Sequence, residues 1–192
     1  MRIKIAMVGQ TPFVMHNERL ANADDPVVKQ IKELTDKGVN QTEADKIAIS
    51  KLEWFGGIYT DEKNLLAVPS ANIIKCLREA AAVTKDGKNV ARALSPTALY
   101  FPLVYNGPAD PKAVFEQPQY TLRRAVKVGR ARITRTRPCF PVWSLTSEFE
   151  LLEDLMNFSK IVSIVELAGL STGIGDGRIL GYGRFKAKVS KQ

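Results

Sequence analysis

The chain is poor in the residues that do chemistry. It holds one histidine and two cysteines among 192 residues. Cys76 and Cys139 are too few for the disulfide framework of a small secreted domain, which points to a reducing compartment, the cytoplasm. Together with His16 they cannot supply a zinc set. A serine or cysteine triad would have to run through His16, and no motif around it supports one. No run approaches the roughly 18 apolar residues of a membrane span. Lys4, Gly9, Gln10 and Pro12 interrupt any signal-peptide core, so neither secretion nor membrane insertion is expected. Acidic residues are missing too, over one long interval: none occurs between Glu116 and Glu148.

What is present is ordinary folded material with a basic excess. Hydrophobic residues make up 45% and charged residues 25%, and the net charge is +8. Such a chain can bury a core without staples, as a single domain spanning residues 1–192. The acid-free interval carries Arg123, Arg124, Lys127, Arg130, Arg132, Arg135 and Arg137. Seven cations there repel one another unless a polyanion neutralises them; the alternative is a merely solvated face.

The periodicity predicts a strand from Arg2 to Val8 with Ile3, Ile5 and Met7 on one side. Asp25 should cap a helix that has Pro26 first, with Val27 or Val28, Ile31 and Leu34 as its apolar stripe. A second helix from Thr42 carries Ala44, Ala48, Leu52 and Phe55 on one face and stops at Gly56-Gly57. This pair, residues 26–57, reads as a thumb-like helical insertion. Ile58 to Thr60 and Leu65 to Val68 fit a small hairpin. Ser70 should cap a third helix that buries Ile73, Ile74, Leu77, Ala80 and Ala81, followed by a loop at Asp86-Gly87. A strand is expected from Ala98 to Tyr105, then a proline-rich loop from Pro108 to Pro118. The basic segment fits two strands joined near Gly129. Trp143, Leu145, Phe149 and Leu151 then alternate with polar residues. A helix with Phe158, Ile161, Val162, Val165 and Ala168 on one face follows, and a strand from Arg184 to Val189 closes the chain. The order strand, helix, two strands, helix, strand predicts an α+β fold, a modified ferredoxin-like antiparallel sheet with a helical insertion.

The run from Gly173 to Gly183 holds five glycines in eleven residues. A dinucleotide fingerprint would need a strand before it and a helix after it, the reverse of the order here. Two readings stay open: relief of a tight helix-to-strand crossing, or bare backbone that approaches a phosphodiester chain and offers N–H groups to it. The stretch ELAGLSTGIGDGRILGYGRF resembles the C-terminal helix, glycine-rich loop and last strand of the RAMP superfamily, the ferredoxin-like proteins that build CRISPR effector complexes. VPSANIIKCLREAA, Val68 to Ala81, is similar to a helix of that superfamily's repeating backbone subunits, although Ala71, Asn72 and Cys76 depart from the usual small residues.

The resemblance implies single-stranded guide RNA as partner, together with other CRISPR effector subunits and self-association along the RNA. It places Ser70, Asn72, Lys75 and Arg78 of the third helix near that RNA, and Gly173, Gly175, Gly177, Arg178, Gly181 and Gly183 of the loop against it. The seven cations of the hairpin would contact phosphates, and Tyr120 and Phe140 could stack on bases, while Trp143 sits on an apolar strand face and reads as core. Two further readings stand beside this non-catalytic one. A metal-independent endoribonuclease would use His16, or Asp24 and Asp25, although the place of the aspartates before Pro26 fits helix capping better. A phage-borne mimic would insert into a host effector complex and stall it. No cofactor and no metal are expected.

Overall fold

The computed structural model describes residues 1–129 and 131–192. In chain order they form β1 (Arg2–Gly9), β2 (Phe13–Val14), α1 (Pro26–Thr35), α2 (Glu43–Gly57), β3 (Ala67–Pro69), α3 (Ser70–Ala81), α4 (Gly87–Ala93), β4 (Leu94–Pro96), β5 (Tyr100–Tyr105), α5 (Pro111–Phe115), β6 (Thr121–Val128), β7 (Ala131–Phe140), β8 (Trp143–Leu151), α6 (Phe158–Leu167) and β9 (Phe185–Lys191). The chain divides into two compact units. The first comprises Met1–Phe13, Thr60–Gly107 and Phe140–Gln192; the second comprises Val14–Tyr59 and Pro108–Cys139.

The first unit is an antiparallel sheet in the order β3-β5-β8-β1-β9, with β4 also paired to β8. Four of those strands with α3 and α6 reproduce the ferredoxin-like sequence: β1, α3, β5, β8, α6, β9. The strand that follows each helix therefore lands beyond a neighbour rather than beside its predecessor. Register follows the apolar alternation, since a one-residue slip would turn the buried face outward. Ile3 stands opposite Phe149, Ile5 opposite Ser147 and Met7 opposite Leu145, and all six side chains are buried. Ile73, Cys76, Leu77 and Ala80 of α3 and Ile161, Ile164 and Val165 of α6 are buried as well. Ile74 and Val162, expected in those stripes, are only half-buried.

The second unit holds α1, α2, α5 and the sheet β2-β7-β6. α1 begins as expected: the Asp25 side chain accepts from the Val27 N–H, with Pro26 at the first helical position. α2 departs from expectation. Its buried residues are Ser50, Glu53, Trp54, Gly56 and Gly57, while Ala44 is exposed and Ala48, Leu52 and Phe55 are half-buried. The polar pair can be buried because β7 supplies partners for it. Trp54, Phe55 and Phe115 pack edge-to-face or tilted, with ring centroids 5.0 to 5.4 Å apart, and the Trp54 indole N–H donates to the Tyr120 carbonyl at 2.9 Å.

Several local expectations need correction. Thr60 and Leu66 form an isolated bridge rather than a hairpin, because β3 pairs with β5 instead. The loop at Asp86-Gly87 contains α4, and the proline-rich loop contains α5. Pro69, not Ser70, occupies the cap position of α3, which has no side-chain cap. Ser70 is already helical and buried, and its N–H donates to the Leu99 carbonyl at 2.8 Å.

Candidate nucleic-acid interface

β6 and β7 pair in continuous antiparallel register, with Arg124 opposite Arg135, Leu122 opposite Arg137, and Lys127 opposite Arg132. With no bulge to shift the alternation, Arg132 faces away from Arg135 and Arg137. Like charges placed directly across a strand pair are destabilising by about 0.2–1 kcal/mol each. The fold answers one such pair from outside the acid-free interval. Glu53 of α2 is 3% exposed. Its carboxylate accepts from Arg135 Nη1 at 2.5 Å and from the Thr136 backbone N–H at 2.7 Å. The Ser50 and Thr136 hydroxyls meet 2.9 Å apart beside it.

Sequence reasoning missed Glu53, which lies 82 residues from its partner. The available signal was the spacing of Ser50, Glu53, Trp54 and Gly57, which share one helical face. The expectation that all seven cations await a polyanion is therefore corrected at Arg135. Arg123, Arg124 and Arg132 are exposed and Arg137 is half-buried. Lys127 is placed by its backbone register alone, and Arg130 lies outside the described residues. Tyr120 and Phe140 are 4% and 0% exposed, which removes both as stacking platforms; Trp143 is buried as expected.

The glycine run lies in the first unit and closes on itself. All five of its glycines adopt positive φ. The Gly173 N–H donates to Ala168, the Ile174 N–H to Gly183, the Gly181 N–H to Arg178 and the Gly183 N–H to Pro12. Thr11 Oγ1 donates to the Gly181 carbonyl and accepts from the Arg184 N–H. A Cβ on Gly183 would come within 1.8 Å of the Ile174 carbonyl oxygen, so only glycine fits there. The amides of Gly173, Gly181 and Gly183 thus serve the fold, and the expectation that they ligate anions is corrected. Arg178 is likewise engaged, its Nη1 2.5 Å from Glu79 of α3. Gly175 and Gly177 complete the loop, and Ile179 at its tip is fully exposed. On α3, Asn72 is half-buried while Lys75 and Arg78 are exposed.

The catalytic candidates are placed as follows. His16 is exposed, and its backbone carbonyl accepts from the Tyr59 hydroxyl at 2.9 Å. Both oxygens of Asp25 are committed: Arg19 donates through Nε and Nη2, and the Val27 N–H donates from the helix end. The Arg19 bond, then the helix N–H groups, hold its carboxyl below the usual 3.8, which makes it a poor proton acceptor. Asp24 is exposed and pairs with Lys29 at 3.4 Å. Burial pushes the Cys76 thiol up to about 12 and Cys139 up to about 11, so neither is a thiolate at neutral pH. Among the described residues, no group of three or more His, Cys, Asp or Glu side chains could hold a metal ion. Nor is any helix there long and apolar enough to cross a membrane.

No protein-family model matches the chain, and no curated protein matches it. Among solved structures it is similar to a chain of a cryo-EM structure of the Type III-B Cmr-beta bound to cognate target RNA. That likeness has a TM-score of 0.52 and 13% identity and covers 99% of this chain and 60% of the other. The chain therefore spans about three-fifths of that protein's length, and the likeness establishes the fold: α+β, with a ferredoxin-like antiparallel sheet.

Proposed function

We propose that the chain is a non-catalytic RNA-binding subunit of a CRISPR-type ribonucleoprotein, of the kind that repeats along a guide RNA. The observation that carries this reading is the β6–β7 hairpin. Arg123, Arg124 and Arg132 are exposed on it, in an interval with no acidic residue of its own. Phosphate contacts from such residues give affinity that is independent of sequence and sensitive to salt. The fold likeness to a chain solved in an RNA-bound Cmr assembly supports the same partner class. The helical insertion at residues 26–57 would act as a thumb or meet a neighbouring copy. Asp25 is held by Arg19 and the Val27 N–H, and Asp24 pairs with Lys29, so neither aspartate favours the endoribonuclease reading.

The test is size-exclusion chromatography of freshly purified protein, with absorbance at two wavelengths, before and after RNase treatment. A large, nucleic-acid-rich species that collapses on digestion is the expected result. A clean monomer that also fails to bind added single-stranded RNA would sink the reading.

A further inference from the structure

One face of the first unit's sheet carries an exposed aliphatic row. On β1, Arg2, Lys4, Ala6 and Val8 alternate with the buried Ile3, Ile5 and Met7, and none of the four is buried. Register sets their neighbours: Val8 stands opposite Ser144 of β8 and Lys186 of β9, and Ser144 opposite Val104 of β5. Leu65 extends the row past Val104, since the Leu103 N–H donates to the adjoining Leu66 carbonyl. Val8 is 56% exposed, Val104 59% and Leu65 43%, and Val142, just ahead of β8, is 73% exposed. Aliphatic side chains gathered on an open sheet face mark a contact surface for protein. With no aromatic ring among them, they offer bases nothing to stack on.

The row ends on cations. Lys186 and, in the next row, Lys188 opposite Ala6 are exposed, and neither makes an ion pair among the described residues. The acids of the same face lie further along β8 and are engaged: Glu150 holds Arg2, and Glu148 accepts from the Gln192 side-chain amide. The same chain carries an exposed segment of reciprocal chemistry, Leu152-Glu153-Asp154-Leu155. The Leu155 N–H donates to the Leu152 carbonyl, a tight turn in which residues three apart share a side. Leu152 is 53% and Leu155 48% exposed, and neither acid between them is ion-paired among the described residues. This turn follows the end of β8, whereas Ser144 lies at its start, about 26 Å away at about 3.3 Å per residue. β8 therefore holds the two patches apart within one chain, and a second copy can bring them together.

We infer that these patches join copies of the chain head to tail without RNA. The turn of one copy seats Leu152 and Leu155 on the Leu65, Val104 and Val8 row of the next, with Glu153 and Asp154 against Lys186 and Lys188. Because the two surfaces differ, each added copy leaves one of each kind free, and the contact repeats in an open line. It bears on the repeating arrangement proposed above, yet it depends on no cation of the hairpin. The experiment is analytical ultracentrifugation of RNase-treated, nucleic-acid-free protein over a concentration series. Wild type should gain mass with concentration, and V8E/V104E should stay monomeric. K186E/K188E and E153K/D154K should each stay monomeric alone, whereas their equimolar mixture should associate, because each then meets opposite charge at both patches. Wild type that remains a monomer to its solubility limit, or that associates only when single-stranded RNA is added, overturns the inference and leaves the proposed function standing. A V8E/V104E or E153K/D154K variant that associates as wild type does, or a mixture that stays monomeric, also overturns it. Association through these residues by a protein that binds no RNA upholds the inference and overturns the proposed function. Should V8E/V104E fail to fold, the charge variants decide, since their four side chains are exposed.

Discussion

Glu53 binds a guanidinium and a backbone N–H with the same carboxylate while almost wholly removed from water. Desolvating a carboxylate is costly, and the two charge-assisted bonds offset that cost only while both donors are present. Glu53→Ala should therefore destabilise the protein by about 3 kcal/mol, and Arg135→Ala by a similar amount, because it strands a buried charge. Urea unfolding of both variants and the double variant is the check. If the double variant is much less damaged than the sum of the singles, the coupling is direct; an effect of either single below about 0.5 kcal/mol would mean the pair is solvated. The same argument explains why Arg135 is a poor residue for probing RNA contact. Its loss would weaken binding through unfolding, whereas Arg123, Arg124 and Arg132 carry no such structural duty in the bonds described above.

At the scale of elements, the sequence was most legible where local chemistry and periodicity agreed. β1, β8 and α3 follow their apolar spacing, and α1 follows Asp25-Pro26. α2 starts at a reciprocal cap: Thr42 accepts from the Asp45 N–H, and the Asp45 carboxylate accepts from the Thr42 N–H and from Lys37 Nζ. Short elements were illegible because they take their shape from distant partners. α4 and α5 are too short to show a period, and β4 exists only by pairing with β8. Likewise, the buried face of α2 depends on β7, which no local pattern announces. The cap of α2 gives a prediction with a definite sign. Lys37 first, then the Thr42 N–H and hydroxyl, hold the Asp45 carboxyl at about 2 against an ordinary 3.8. A carboxylate with a lowered folded value contributes stability that is complete above the unfolded value and disappears as pH falls through the folded one. Thr42→Ala should cost about 1 kcal/mol at neutral pH. The stability gap between wild type and Asp45→Asn, from urea midpoints, should be full above about pH 4 and close as pH approaches 2. A gap that does not change with pH would show that the carboxylate's charge plays no part in the cap.

For the molecule as a whole, the ferredoxin-like order could be read from the chain because its strands and helices recur in sequence order and each carries its own periodicity. The second unit could not, since Val14–Tyr59 and Pro108–Cys139 come together from two separate insertions. The site shared that fate in part. The cations were visible as a composition bias, but the acid that engages Arg135, and the internal bonding of the glycine loop, are consequences of tertiary folding. Under the proposed function, the behaviour of the whole chain on RNA turns on copy number. A subunit that repeats along a guide must show a bound mass that grows in equal steps with RNA length, because each copy covers a fixed stretch of phosphates. A protein that recognises one structured feature binds once, whatever the length. Sedimentation of saturated complexes on RNAs of one, two and three times the minimal bound length separates these. Equal mass increments are expected. A constant single copy at every length would remove the repeating-subunit reading while leaving the proposed hairpin contacts untouched, since phosphate contacts by Arg123, Arg124 and Arg132 would need no neighbouring copy.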